Sequence, residues 1–262
     1  MAVILTEEQK KSPLYKYYEL DIAPVPQEKI DAVMSMSFSD NTNGLPIEEI
    51  NRLFDEGYLE DEFGLFGLPD GGCVFSNLTD MPGVTPEMFD WWFAWHGLDS
   101  MRYTIWDKDD HYYCQTQNVE QALDASLSMK ERFWNTTHEI KEAIVDDGPA
   151  LPVRLTFVPP VNVGFDPEKL ASNNVSIVCT PGPALMIHFV RETDHGSELR
   201  TRFYFGYMAT QDGVVRIPDF PGNDMSARML LLHNIKEFTH LAKILPSVYA
   251  EFKDDFLVGI ER

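Results

Sequence analysis

Between Phe133 and Ile217 the chain passes through one extended-pattern segment after another, and it then closes on a single long helix pattern from about Ser226. That order constrains the fold more than any other feature. In TTHEIKEAIV, period-two alternation puts His138, Ile140, Glu142 and Ile144 on one face and Glu139 and Lys141 on the other. PVRLTFVPP, VSIVCT and ALMIHFVRE follow, and the last pairs with LRTRFYFGYMA across the turn Asp194-His195-Gly196-Ser197. Strands in succession predict an antiparallel meander, because a parallel sheet needs helical crossovers between strands. The closing helix carries Met229, Leu230, Leu232, Leu241 and Ile244, with a kink expected at Pro246, and runs towards Phe256. Sheet first and helix last is an α+β arrangement. Laying the helix across the concave face of the sheet buries both apolar surfaces and leaves a cavity between them, a helix-grip, START-like plan suited to a small, partly apolar ligand.

The remaining segments fit around that plan. Residues 61–262 form the predicted helix-grip catalytic domain, and residues 1–60, polar and punctuated by proline, form a small N-terminal accessory segment with one amphipathic helix at Ile47–Phe54. GLFGLPDGGCVF reads as a loop, a lid or wall over the pocket. Thr85-Pro86-Glu87 opens a helix that ends at Gly97; its surface is apolar almost all round through Met88, Phe89, Trp92, Phe93 and Trp95, so it is either buried or lines an apolar cavity. RYTIWDKDDHYYC suggests extended structure passing into a turn, and Val119–Met129 a short helix.

Composition narrows the function. With 42 acidic against 21 basic residues the net charge is −21, which repels phosphate backbones and anionic lipid, so neither a nucleic-acid nor a membrane partner is expected. The apolar run Ala2–Leu5 is too short for a signal peptide or a membrane span. Cys73, Cys114 and Cys179 are far apart and odd in number, which fits a reducing cytoplasm better than a disulfide framework. There is no G-x-S-x-G elbow, P-loop or dinucleotide fingerprint. Trp91, Trp92 and Trp95 read as core and pocket wall, His96 as a helix C-terminal histidine, and His195 as a solvated turn residue.

The sharpest chemical signal is His233-Asn-Ile-Lys-Glu237 on the closing helix, since residues four apart project from one face and can share a metal ion. His240 lies close to that face as a further candidate. His111, in a predicted turn after WDKDD, and Glu142, a carboxylate on the apolar face of a strand, are the other candidates; an unpaired carboxylate there costs several kcal/mol. Two imidazoles and two carboxylates make a borderline-to-hard donor set suited to zinc with room for water or substrate.

WWFAWHGLDSMRYTIWDKDDH, HEIKE and HNIKE together resemble the 2,4-diacetylphloroglucinol hydrolase family, which includes phloretin hydrolase; the resemblance runs from about Trp91 to Glu237. It implies a helix-grip domain binding Zn2+ through His111, Glu142, His233 and Glu237. It also implies hydrolysis of the bond between an acyl carbon and a polyhydroxylated aromatic ring, giving a carboxylic acid and a deacylated phenol. Tyr103, His188 and Tyr204 resemble substrate-binding residues of the family. The implied partners are a small phenolic ketone and, for the protein itself, a second copy in a homodimer. Cys114 departs from the pattern, standing where a hydrogen-bonding amide is expected, and a thiol is a weak partner. The alternatives are a metal-dependent retro-Claisen hydrolase or lyase acting on another ketone, and a non-catalytic helix-grip carrier of small phenolic ligands.

Overall fold

Strand β8 (Gly196–Phe205) reads GSELRTRFYF, and its alternation sorts two kinds of residue onto two buried faces of one sheet. Leu199, Thr201 and Phe203 point one way, Arg200, Arg202 and Tyr204 the other. The sheet around it has the order β1 (Gly64–Gly67), β2 (Cys73–Pro82), β8, β7 (Ala184–Thr193), β6 (Val175–Thr180), antiparallel throughout. A second sheet of three strands joins β3 (His111–Thr116), β4 (Thr137–Glu142) and β5 (Leu151–Thr156), and β9 (Tyr207–Thr210) pairs with β10 (Gly213–Arg216). The computed structural model describes residues 2–145, 148–217, 220 and 223–260.

Short helices α1 (Tyr15–Tyr18), α2 (Gln27–Ser35), α4 (Ser100–Thr104), α5 (Val119–Leu123) and α6 (Pro167–Ser172) connect these strands, and α3 (Pro86–Trp95) and α7 (Asp224–Phe252) build the core. Helix α3 starts as its sequence predicts, with Thr85 Oγ1 accepting from the Met88 amide and Pro86 at the first helical position. Helix α7 runs through Pro246 and ends at Phe252, four residues short of the expected end. Its apolar face packs on one side of the large sheet. Phe238, Leu241, Ile244 and Leu245 join α3 and Met186, Val190 and Leu199 in one cluster, while Ala227, Leu231 and Ile235 meet Phe75 in another. This is the α+β arrangement of antiparallel strands and a C-terminal helix that the sequence order implies.

The other side of the sheet is covered by chain segments rather than by solvent. Ile47, Ile50 and Leu53, on a 3₁₀ helix (Ile47–Phe54) and not an α-helix, pack against Val74, Leu185, Ile187, Phe189 and Tyr204. Leu5, Leu14 and Tyr17 enter the same cluster as α3 and α7, so residues from the first sixty are built into the core.

Three local expectations are corrected. GLFGLPDGGCVF is not a loop but the β1–β2 hairpin: Gly71 takes φ +79° in the turn, Asp70 Oδ1 accepts from the Gly72 amide, and a Cβ at Gly72 would run into the Tyr207 hydroxyl and stand 2.6 Å from its ring carbons. Its glycines serve the turn and the close approach. The stretch after Gly97 is helical, not extended, because Asp99 caps α4 through the Met101 amide; the turn at Asp107–Asp110 then ends before His111, which opens β3. The helix expected over Val119–Met129 stops at Leu123.

Arg200 and Arg202, both fully buried, reach Glu62 from the outer face of the sheet; Arg202 Nη2 lies 3.1 Å from Glu62 Oε2, and Arg200 Nη1 donates to the Leu53 carbonyl at 2.7 Å. Removing the carboxylate leaves Arg200 with no acidic partner among the described residues and Arg202 with Asp61 alone, at 3.4 Å. Glu62→Leu should therefore lower stability by about 3–5 kcal/mol, measured as a fall in the urea midpoint at unchanged slope.

Candidate metal centre

The register of β3 on β4 sets His111 opposite Glu142, and a bulge between His111 and Tyr113 brings both His111 and Cys114 inward. Helix α7 crosses this pair with His233 and Glu237, one turn apart. All four side chains therefore meet. His111 Nε2 lies 3.6 Å from Glu237 Oε2 and 4.0 Å from Glu142 Oε2, and His233 Nε2 lies 4.0 Å from each of those oxygens. Ligand atoms of a tetrahedral zinc ion with bonds near 2.0–2.2 Å stand about 3.4 Å apart, so small side-chain rotations close the cage.

Each candidate ligand is aimed by a neighbour. His111 Nδ1 faces the Tyr103 carbonyl at 3.2 Å, its ring stacks flat on Tyr103 at 3.8 Å, and its Nε2 is buried with no hydrogen-bond partner among the described residues. The Tyr103 hydroxyl donates to Glu142 Oε2. Asn77 donates to Asn234 Oδ1 at 3.0 Å, and Asn234 Nδ2 stands 3.4 Å from Glu237 Oε1. Burial, reinforced by the charge on His233, holds His111 well below the ordinary histidine range. Burial pushes Glu237 up to about 8, with Glu142 and Asp107 adding to the rise. Burial opposes a charge on His233, but Asp110, Glu237 and Glu142 outweigh it and raise that group to about 9. Protons here stand in for a cation. An orphaned imidazole nitrogen, two converging carboxylates and a second imidazole fit a divalent metal.

Beside the tetrad lies a cavity of about 210 Å³ between α7, α3 and the two larger sheets. Phe93, Trp106, Phe157, Phe203 and Leu230 supply apolar wall, and His96, His138 and His188 supply nitrogen. Burial keeps all three imidazoles neutral, with His96 lowered to about 4 and His188 to about 3. His188 Nδ1 meets Thr201 Oγ1 at 2.9 Å. His96 Nδ1 donates to the Trp92 carbonyl at 2.8 Å, which leaves its Nε2 an acceptor. His138 lies against Gly97, where an added Cβ would stand 2.3 Å from its Cε1, and its Nδ1 is 3.9 Å from Cys114 Sγ.

The structure thus assembles His111, Glu142, His233 and Glu237, with Tyr103 and His188 on the cavity wall. Tyr204 is not there: it sits on the opposite face and donates to the Leu45 carbonyl at 3.0 Å, because the alternation of β8 gives the cavity to its neighbour Phe203. His240 is also elsewhere, its Nδ1 accepting from the Ala23 amide at 3.1 Å. Glu139 is exposed, as its outward parity requires. His96 and His138 are cavity residues that the sequence reading did not assign. The inward parity of His138 beside Glu142 was the available signal for one of them; for His96 the sequence carries none.

Comparison with known proteins places these features in a lineage. The family described as DAPG hydrolase PhiG domain matches residues 45–250. Phloretin hydrolase of Eubacterium ramulus is 38% identical over 267 residues, covering 95% of this chain and 94% of that protein. The 2,4-diacetylphloroglucinol hydrolase of a Pseudomonas species is 27% identical over 271 residues, covering 93% of this chain and 89% of that protein. Among solved structures, Ara h 8.0201 aligns with 99% of its own length and 68% of this chain, at 10% identity and a TM-score of 0.41. With a family match over most of its length and a relative of that identity along nearly all of it, the chain belongs to the DAPG hydrolase family.

Proposed function

We propose that the protein is a zinc-dependent hydrolase that cleaves the bond between the acyl carbon and the aryl carbon of an acylphloroglucinol-type ketone. Water is consumed: its hydroxyl joins the acyl carbon as a carboxylic acid, and its hydrogen ends on the ring carbon. The observation that carries this reading is the buried tetrad at the edge of an aromatic cavity: each imidazole Nε2 lies 3.6–4.0 Å from a carboxylate oxygen of Glu142 and of Glu237, and His111, His233 and Glu237 form a group of metal-cage dimensions. The curated relatives, named phloretin hydrolase and 2,4-diacetylphloroglucinol hydrolase, agree in substrate type.

His111, Glu142, His233 and Glu237 would hold the ion, which when bound supplies Lewis acidity towards a ketone oxygen and lowers the pKa of water. The chain's own groups do the rest. Phe93, Phe157 and Phe203 enclose the ring and exclude bulk water. Neutral His138 and His188 can each give or take a hydrogen bond and His96 can take one, which suits ring hydroxyls without imposing a charge. Burial and the adjacent Glu142 hold the Tyr103 phenol well above its ordinary range, so it keeps its proton and acts as a donor. Cys114 lies behind His138, so the imidazole presents the polar atom at that end of the cavity. We read the overall arrangement as a helix-grip fold. A carrier of phenols would have the same cavity but no use for two carboxylates converging on an unpartnered imidazole.

The purified protein should contain one zinc per chain and release a carboxylic acid from acylated phloroglucinols, phloretin among them. Removing the metal with a chelator should stop turnover and restoring it should revive it. His233→Ala and Glu237→Gln should each lower kcat/KM at least about a thousandfold, some 4 kcal/mol of barrier; a His233→Ala protein turning over at the native rate overturns the reading.

The cavity wall gives a second comparison. Gly97→Ala should displace His138, costing about 1–3 kcal/mol of stability and raising KM for hydroxylated substrates more than it changes metal content. Tyr204→Phe should cost about 1 kcal/mol of stability and leave KM and kcat unchanged, as its hydroxyl faces away from the cavity. Melting curves and steady-state kinetics check both.

A further inference from the structure

Lys236 stands between Asp107 and Asp110 on the side of His233 turned away from the tetrad. We propose that its ammonium is a built-in counter-ion occupying a second cation site formed by Asp107, Asp110 and His233, and that Asp110, held by Lys236, is a positioning residue for the metal-binding imidazole. The inference rests on the reading of His233 as a metal ligand.

The geometry comes from both ends of the contact. Lys236 follows His233 by three residues on α7, so its stem runs beside that ring. Its Nζ lies 2.7 Å from Asp110 Oδ2, 3.1 Å from Asp107 Oδ1 and 4.0 Å from Asp109 Oδ2. Asp107 is wholly buried and Asp110 is 4% exposed, so without the ammonium two carboxylates would lie in a low-dielectric site uncompensated. Two buried atoms around it have no hydrogen-bond partner among the described residues: Asp107 Oδ2 and His233 Nδ1. The Nδ1 faces Asp110 Oδ2 at 3.6 Å. One ligand atom each from Asp107, Asp110 and His233 falls within 4.8 Å of the others, the dimension of a metal cage. A groove of about 590 Å³ reaches Asp110, His233 and Lys236, so an ion has a way in if the lysine is removed.

His233 has two nitrogens and therefore two duties. Its Nε2 belongs to the tetrad, and its Nδ1 is free to donate to a carboxylate, which fixes the tautomer and the ring plane and strengthens the ligand. Asp110, whose Oδ2 lies 3.6 Å from that nitrogen, is the carboxylate placed to receive it once the ring turns onto a metal ion. A second metal ion on Asp107 and Asp110 would claim Nδ1 and disorder the first site. A tethered ammonium satisfies the same oxygens, cannot ligate Nδ1, and does not exchange.

Zinc titration against a chromophoric chelator, metal analysis, and the visible spectrum of the cobalt-substituted protein test this in three variants. Native protein and Lys236→Arg should saturate at one metal. Asp110→Asn should also bind one, about 10–100-fold more weakly, with an altered cobalt spectrum. Lys236→Met should take up a second divalent ion, and excess zinc should raise its melting temperature by more than it raises that of the native protein. Should that variant fail to fold in metal-free buffer, refolding in excess zinc should recover it. Asp110→Asn binding zinc within twofold of native with an unchanged cobalt spectrum overturns the positioning role. Lys236→Met saturating at one metal, or failing to recover in zinc, overturns the counter-ion role. Native protein that binds no zinc overturns the functional reading beneath both, so the failures are told apart.

Discussion

Two carboxylates and two imidazoles meet at one buried point, and the surrounding structure answers the cost of gathering polar, ionisable groups there. An isolated buried charge costs several kcal/mol, so it must be paired, protonated or bound to a cation. The folded chain uses each of these in turn. Glu142 accepts the Tyr103 hydroxyl, the upward shift of Glu237 favours its protonated form near neutrality, and Asp110 is paired with Lys236. The register of β3 on β4 and the crossing of α7 matter because they deliver one imidazole and one carboxylate each to the same place. Shifting the β3–β4 register by one residue would turn Glu142 outward and set His111 opposite Lys141 or Ala143.

The same constraint explains the cavity. On the proposed reading its wall would need polar atoms to recognise a hydroxylated ring, while charged groups there would compete for the ion or the substrate. Histidine solves this when burial keeps it neutral. His96, His138 and His188 are each at least 97% buried, each held below the ordinary histidine range, and each carries a nitrogen that works without a formal charge. Gly97 is part of this device, since only a residue without a side chain lets His138 lie so close to the backbone.

Much of this was legible in the sequence, for identifiable reasons. HNIKE on a strongly periodic helix gave His233 and Glu237 because helical spacing alone puts them on one face, and strand parity separated Glu142 from Glu139. The strand order and the closing helix gave the α+β class. Tyr204 failed where parity should have warned: it differs by one residue from Phe203, and in a sheet buried on both faces hydrophobicity does not say which face is which. The β1–β2 hairpin was missed because glycine and proline mark turns and loops alike, and only the pairing Gly64↔Ser76 through Gly67↔Cys73 distinguishes them. Lys236 sat inside the motif that drew attention, but its partners lie more than 120 residues away, beyond any periodicity argument.

The whole-chain charge of −21 therefore says little about the site, and the reason is spatial. On the reading proposed above, a neutral phenolic ketone entering the cavity meets neutral imidazoles and a phenol that keeps its proton, so it exchanges water for hydrogen bonds and aromatic contact with uncharged groups. The carboxyl groups of Glu142 and Glu237 are gathered at one corner, beside His233. On the reading proposed above, the ketone is the one part of such a molecule that profits from the ion held there. The aromatic ring is left to the neutral wall. A substrate carrying its own carboxylate next to the ring would lose by comparison, since the described residues lining the wall include no Lys or Arg to receive it.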